Sequence, residues 1–207
     1  SVSAFLLNRS SDLEIYIIDI KDDEITELHS ADEHSSGERK IINKEHAAKQ
    51  LRDMFANDVP DKWITRVLDF CHRDNIDLFE TRNRFLFQSK NPSRMLQFID
   101  HPIFQSSVIC TTIESNRYYP SIMNHAPHVE ERALAMNEIA SKGIETYLTI
   151  EPIMTFDKDE LVRLIRMCRP TQVNIGANTY YKVRIPEPTK HDILDLVNEI
   201  NSECKVE

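Results

Sequence analysis

The chain has 207 residues, 41 % of them hydrophobic and 29 % charged, a composition typical of a globular protein with a sizeable core. Its three glycines are widely separated, which excludes a Walker phosphate loop and a Gly-x-Gly-x-x-Gly dinucleotide fingerprint. The formal charge of −9 argues against a protein that coats nucleic acid non-specifically. No apolar run approaches the roughly 18 residues of a membrane span, and the first residues lack the basic flank of a signal peptide. We therefore expect a cytoplasmic protein without a membrane partner.

The cysteine spacing excludes a local metal motif. The four cysteines lie 39, 58 and 36 residues apart, so no Cys-x-x-Cys pair or zinc ribbon is present. Cys71, Cys110 and Cys168 lie in apolar segments, where a free thiol behaves as a small buried hydrophobic group. The His125 and His128 pair matches no established ligand spacing. We predict no metal site and a reducing compartment.

Residues 1–45 are predicted to form a separate acidic segment. Residues 11–33 hold nine acidic residues and one lysine, a local charge of −8, so the rest of the chain is almost neutral. The β-branched run at 13–20 predicts a strand, and residues 25–28 predict a second, shorter one. A helical pattern follows over residues 43–55. The segment therefore contributes one or two strands before the main domain at 46–207.

Strands and helices alternate through the main domain. The predicted strands are residues 84–89, 106–113, 146–150 and 171–175. The predicted helices begin near Asp61, Pro92, residue 128, Asp157 and Thr189. Gly143 is expected to end the helix over 128–142, and Asp157 and Thr189 are expected to cap theirs. Short, continuously apolar strands separated by helices favour an α/β fold with a parallel sheet covered by helices, either open or closed as a partial (β/α) barrel.

Polar residues follow each predicted strand, at the edge where α/β proteins bind ligands. From this edge we select as candidate cofactor-binding residues Ser89, Lys90, Thr112, Asn174 and Asn178. Further polar residues there are Gln88, Asn91, Thr111, Ser115, Asn116, Arg117 and Tyr180. Four strands that deliver polar groups to one edge indicate a ligand site, for a small molecule or a nucleotide.

Glu114 and Glu151 are the candidate catalytic pair at this edge. Two neighbouring carboxylates can act as acid and base, share a proton, or hold an amino group or a cation. Alternatively, each pairs with a nearby base such as Lys90 or Arg117. Lys90 itself suits either a phosphate or carboxylate anchor or a simple ion pair at the edge.

Six segments in this order resemble a small group of proteins in the radical S-adenosylmethionine (SAM) superfamily, common in phages and prophages. They are Asp53-Met-Phe-Ala-Asn-Asp-Val-Pro-Asp-Lys-Trp-Ile, Phe85-Leu-Phe-Gln-Ser-Lys-Asn-Pro, Thr111-Thr-Ile-Glu-Ser-Asn-Arg, Ala126-Pro-His-Val-Glu-Glu-Arg, Thr149-Ile-Glu-Pro-Ile-Met and Val173-Asn-Ile-Gly-Ala-Asn. The resemblance covers roughly residues 52–202.

The resemblance implies a partial (β/α) barrel that holds a [4Fe–4S] cluster and SAM at the carboxyl ends of its strands. Reductive cleavage of SAM in such proteins produces a deoxyadenosyl radical, which abstracts hydrogen from a substrate. The residues that would line the mouth of this barrel are Ser89, Lys90, Glu114, Glu151 and Asn174. Of the candidate residues, Thr112 and Glu114 would lie nearest to SAM.

The chain departs from this family at the cluster. Such proteins hold iron through a Cys-x-x-x-Cys-x-x-Cys loop before the Asp-Met-Phe segment, and no cysteine precedes Cys71 here. Because iron–sulfur clusters need thiolate ligands, the sequence predicts loss of radical chemistry. A truncated or rearranged natural relative, a partner that supplies the missing part, or a fold reused for binding would each explain this departure.

Two functions from different classes follow. In the first, the chain is a radical-SAM-like protein with impaired catalysis and a residual small-molecule or nucleotide site. In the second, it is a non-catalytic binding or inhibitor module of phage origin that engages a protein partner, partly through the acidic segment. The sequence leaves open whether any enzymatic activity remains, and it leaves the oligomeric state open.

Overall fold

A computed structural model describes residues 53–74, 84–123, 126–179 and 184–206, together with the backbone of three strands between residues 2 and 30. The chain divides into two compact units, of which the first comprises Ser1–Phe87 and Asp100–Ser107 and the second Gln88–Ile99 and Val108–Glu207. The predicted boundary at residue 45 and the predicted helix over residues 43–52 lie outside the described residues.

The first unit contains an antiparallel sheet. Its first three strands are β1 (Val2–Arg9), β2 (Leu13–Lys21) and β3 (Glu24–Ser30), and each pairs with the next. The strand β4 (Phe85–Gln88) pairs antiparallel with β1. β2 and β3 occupy the two strands predicted in the acidic segment, and β1 is a third strand that the sequence analysis did not propose.

Aromatic side chains pack together within the buried core of the first unit. Phe87 contacts Phe55 and Phe104 with ring centroids 6.4 and 5.3 Å apart. The helix α1 (Asp61–Asp74) lies in the same unit, as does a 3₁₀ turn over Pro102–Ser106. The predicted helical pattern was wrong at residues 53–55, which form a turn. The turn has a local cause, because an Asp53 carboxylate oxygen accepts the Phe55 N–H at 2.9 Å and so competes with helix formation.

The second unit is an α/β structure built on parallel strands, which confirms the predicted fold class of a parallel sheet covered by helices. Its strands run in the order β5 (Ser107–Thr112), β6 (Glu145–Ile150), β7 (Gln172–Ile175) and β8 (Lys205–Val206). Its helices are α2 (Pro92–Leu96), α3 (Pro120–Met123), α4 (Val129–Ser141), α5 (Lys158–Cys168) and α6 (Lys190–Ile200).

The helix ends follow the sequence signals with one exception. Gly143 follows α4 with a φ of +80°, a conformation that glycine adopts without strain. Thr189 and Asp192 form a reciprocal capping box at α6. Asp157 stands at the N-cap position of α5 but makes no capping hydrogen bond, since its carboxylate binds elsewhere. No described helix has the length and apolar character needed to cross a membrane.

Candidate functional site

Backbone hydrogen bonds extend beyond the strand ends and order the carboxyl edge of β5–β7. Thr112 pairs in register with Thr149, and the next residue, Ile113, donates its N–H to Thr149 O at 2.9 Å. The loop after β6 returns to this edge, because Met154 N donates to Glu114 O at 3.0 Å. The candidate residues after these strands therefore lie on defined backbone.

Glu114 is held between two cations. Its side chain is fully buried, and Oε2 accepts a hydrogen bond from Arg132 Nη1 at 3.0 Å. Lys90 Nζ binds the other oxygen, Oε1, and the Lys90 side chain remains 42 % exposed. We call Lys90, Glu114 and Arg132 the buried ion cluster. Both carboxylate oxygens of Glu114 are occupied by these cations.

Arg132, in the first turns of α4, joins three parts of the edge. Besides Glu114, its Nη1 donates to Thr112 O at 2.8 Å, and its Nε donates to Pro127 O at 2.7 Å. The guanidinium is buried, so these acceptors replace the water that it loses. Arg132 is not among the site residues predicted from the sequence. The signal for it was a charged residue standing within the apolar helical stripe of Val129, Ala133 and Met136.

Glu151 has a different environment. It follows β6 directly, its side chain is exposed, and no ion-pair or hydrogen-bond partner is found for it among the described residues. The Glu151 side chain packs against Gly176. A Cβ atom added at Gly176 would lie only 2.7 Å from Glu151 Cδ. Gly176 is therefore the close neighbour that leaves room for this side chain.

The structure surrounds the two candidate catalytic carboxylates differently. Glu114 contacts Lys90 and Arg132, whereas Glu151 packs against Gly176, and no hydrogen bond joins the two in the described part of the chain. Arg117, a proposed alternative partner, binds Asp157 instead. Any acid–base chemistry at this edge would therefore depend on Glu151.

Two of the candidate cofactor-binding residues are buried parts of the edge. The Ser89 hydroxyl accepts the Asn91 N–H at 2.9 Å, and Ser89 O accepts the Thr111 hydroxyl at 2.8 Å. Thr112 is buried and presents its carbonyl to Arg132. These two residues thus support the edge and are not on its surface.

The two remaining candidate cofactor-binding residues, apart from Lys90, are Asn174 within β7 and Asn178 after it. Asn174 is half-buried, and its side-chain oxygen accepts a hydrogen bond from Gln172 Nε2 at 2.7 Å. Asn178 is also half-buried. Of the candidate catalytic and cofactor-binding residues, those open to solvent are consequently Lys90, Glu151, Asn174 and Asn178.

A second charged group stands at the surface of the same unit. Arg117 binds Asp157 with two hydrogen bonds, Nε to Oδ2 at 2.9 Å and Nη2 to Oδ1 at 2.6 Å. Asn116 donates to Asp157 Oδ2 at 3.0 Å and accepts the Asp157 N–H at 2.8 Å. We call these three residues the surface clamp. The hydrogen bonds from Arg117, and then the one donated by Asn116, hold the pKa of Asp157 well below its usual range.

The thiols of the chain do not fit a [4Fe–4S] cluster. Cys71, Cys110 and Cys168 are buried free thiols, as predicted, and Cys204 is half-buried near the end of the chain. Burial raises the pKa of Cys110 to about 11 and that of Cys168 to about 12, so both are protonated at neutral pH. Iron needs thiolates. Among the described residues, no group of three or more His, Cys, Asp or Glu could hold a metal ion.

No family model, curated protein or solved structure matches this chain.

Proposed function

We propose that the carboxyl edge of β5–β7 binds a small molecule or a nucleotide, on a radical-SAM-like scaffold that has lost its cluster chemistry. The protein would then act by binding a ligand, and any remaining catalysis would be impaired. SAM is one candidate ligand, because the resemblance implies a site for it at this edge.

The buried ion cluster is the observation that carries this proposal. A buried ion pair loses hydration energy, and well-packed apolar residues of similar volume are often equally stabilising. Glu114 and Arg132 are nonetheless almost completely buried, and they lie where open α/β sheets bind ligands. Because an apolar pair could fill the same space, stability alone does not account for the presence of these charges, whereas a role in shaping a polar site does.

The reachable side chains suggest complementary roles. The Glu151 carboxylate would accept hydrogen bonds from an amino or hydroxyl group of the ligand. Lys90, whose ammonium group is anchored on Glu114, would attract an anionic group at the same edge. The amides of Asn174 and Asn178 would add neutral hydrogen bonds. This combination suits a ligand with both donor and anionic groups.

Thermal shift with a ligand panel tests the proposal. SAM, ATP, GTP and free amino acids would each be added at concentrations up to millimolar. A ligand present at 100 times its Kd stabilises the native state by about 2.7 kcal/mol. We expect a ligand that raises Tm in the wild type and raises it less in Glu151→Gln. Glu138→Gln, an exposed change late in α4, is the matched control. The absence of any shift across the panel would contradict the proposal.

Iron–sulfide reconstitution under anaerobic conditions tests the loss of cluster chemistry. We expect no thiolate-to-iron charge-transfer absorption, because the buried thiols of Cys110 and Cys168 stay protonated. The Cys204→Ser variant controls for iron bound loosely at the most accessible thiol. A stoichiometric cluster in the full chain would overturn the claim that radical chemistry is lost.

The register of the antiparallel strands favours a second candidate function, in which the acidic segment binds a basic protein partner. Asp19 pairs in register with Glu27, so acidic residues occupy directly opposed positions of β2 and β3. Residues 11–33 hold nine acidic residues and one lysine, a local charge that would attract a cationic partner. A polylysine peptide is the probe. Binding that is equal in the full chain and in a variant with Asp19→Asn and Glu27→Gln would exclude this role.

A further inference from the structure

Two aromatic rings lie close together at the surface of the second unit. Tyr118 is 54 % exposed, one of three large hydrophobic side chains that are exposed in the described residues. Its ring centroid lies 6.2 Å from that of His128, with 36° between the ring planes, and His128 is exposed as well. We call Tyr118 and His128 the aromatic pair.

The backbone on both sides of Tyr118 is fixed. Before it, Arg117 N donates to Ser115 Oγ at 3.0 Å, and the Arg117 side chain is held by the surface clamp. After it, Tyr119 OH donates to Thr155 O at 3.1 Å. Ser115 Oγ donates to the same carbonyl at 2.8 Å. Tyr118 is therefore an exposed ring on a rigid segment, which lowers the entropy cost of binding.

His128 is held from its own side. It caps α4, since its Nδ1 accepts the Glu130 N–H at 3.4 Å. The preceding carbonyl, Pro127 O, is bound by Arg132 of the buried ion cluster at 2.7 Å. The same arginine thus binds both Glu114 and the carbonyl of the residue before His128, which links the aromatic pair to the buried ion cluster through one side chain.

The charges near the aromatic pair limit what it can bind. Asp157 of the surface clamp is paired with Arg117, and Glu130 is paired with Arg163 at 2.8 Å. Glu131 adds a further carboxylate in the first turn of α4. Because the cations here are matched by carboxylates, this surface does not attract a polyanionic strand. An uncharged planar ring needs no net positive charge, and it stacks on aromatic faces.

We propose that the aromatic pair is a stacking surface for the nucleobase of a single nucleoside or nucleotide. The proposal rests on the proposed function and narrows its ligand class to compounds with a planar heterocyclic base. The base stacks on Tyr118 and His128, and the remainder of the ligand extends towards Lys90 and Glu151.

Saturation-transfer NMR on the full chain tests this. The probes are adenosine, guanosine, cytidine and uridine, with ribose and inorganic phosphate as controls that lack a base. We expect the strongest transfer to the base protons, and stronger binding of the purines because they offer more stacking area. Tyr118→Ala should weaken binding about 5- to 100-fold, as the loss of a stacking contact does elsewhere. Tyr118→Phe should retain binding, and Leu134→Ala, an equally exposed apolar side chain in α4, should leave it unchanged.

The outcomes separate this proposal from the proposed function. If a nucleoside binds with equal affinity to the wild type and to Tyr118→Ala, the stacking surface is wrong while the ligand edge stands. If ribose, phosphate or amino acids bind and no nucleoside does, the nucleobase class is overturned and the ligand edge again stands. If no probe and no member of the thermal-shift panel binds, both proposals fail.

Discussion

The buried ion cluster and the surface clamp occupy the same unit and use the same chemistry, an arginine that binds a carboxylate. They differ in their exposure to water. The Glu114 and Arg132 side chains are 0 % and 1 % exposed, whereas those of Asp157 and Arg117 are 57 % and 44 % exposed. A buried charge that loses its partner has no water to replace it, and an exposed charge does. Burial, more than hydrogen-bond geometry, should therefore decide what each pair contributes to stability.

The largest effect is expected from Glu114→Gln. This change leaves the Arg132 guanidinium buried without its counter-charge, and such losses cost about 3–5 kcal/mol. Denaturant unfolding against wild type measures the loss, and Glu138→Gln is the exposed control. A double variant with Arg132→Met should recover part of the loss, because the unpaired charge is removed as well. A change of less than about 1 kcal/mol for Glu114→Gln would contradict the importance of burial.

A smaller effect is expected from Lys90→Met, which removes the exposed cation of the same cluster. Glu114 keeps its bond to Arg132, and the ammonium group that is lost is partly in water. The expected loss of unfolding free energy is roughly 0–1 kcal/mol. If Lys90 holds an anionic group of the ligand, the variant should lose more binding free energy than unfolding free energy. Equal affinity in the variant for the best ligand of the panel would remove Lys90 from the site.

The third prediction concerns Gly176→Ala, which should change the position of the Glu151 side chain. In Gly176→Ala, the new Cβ would lie 2.7 Å from Glu151 Cδ, so the exposed Glu151 side chain must rotate away. Because that side chain is free to move into water, the cost to stability should be only about 1 kcal/mol. Ligand affinity should fall as it does in Glu151→Gln. In a Glu151→Ala background, Gly176→Ala should be nearly neutral, and a persistent loss there would show that the clash is with other groups.

The order of the strands and helices could be predicted because each leaves a local pattern. The apolar run before Thr112 and the one before Glu151 indicated strands, and parallel strands bring the residues after them to one edge. The candidates Glu114, Glu151 and Lys90 were found in this way, from topology alone.

The partners of those residues could not be predicted, because they depend on tertiary contacts. Arg132 lies 18 residues from Glu114, and its place in an apolar helical stripe indicates burial without indicating which carboxylate it binds. Asp157 carried the local signature of a helix cap, and its carboxylate instead binds Arg117, which lies 40 residues earlier. A bidentate arginine offers two charge-assisted hydrogen bonds, and these outcompete the single backbone N–H of a cap.

The smallest effect is expected from Asp157→Asn in the surface clamp. Exposed pairs contribute little, so Tm at pH 7 should fall by about 2 °C or less, with Asp159→Asn as the control in the same helix.

The lowered pKa of Asp157 sets the sign of the pH dependence of this effect. Its stabilisation is complete above the ordinary aspartate pKa of about 3.9 and is lost as the pH falls through the lower value of the folded protein. Wild type and variant should therefore converge in Tm only in strong acid, and at 1 M salt their difference at pH 7 should shrink. A loss as large as that of Glu114→Gln would mean that hydrogen-bond geometry outweighs burial at this edge, since the clamp has the better geometry and the greater exposure.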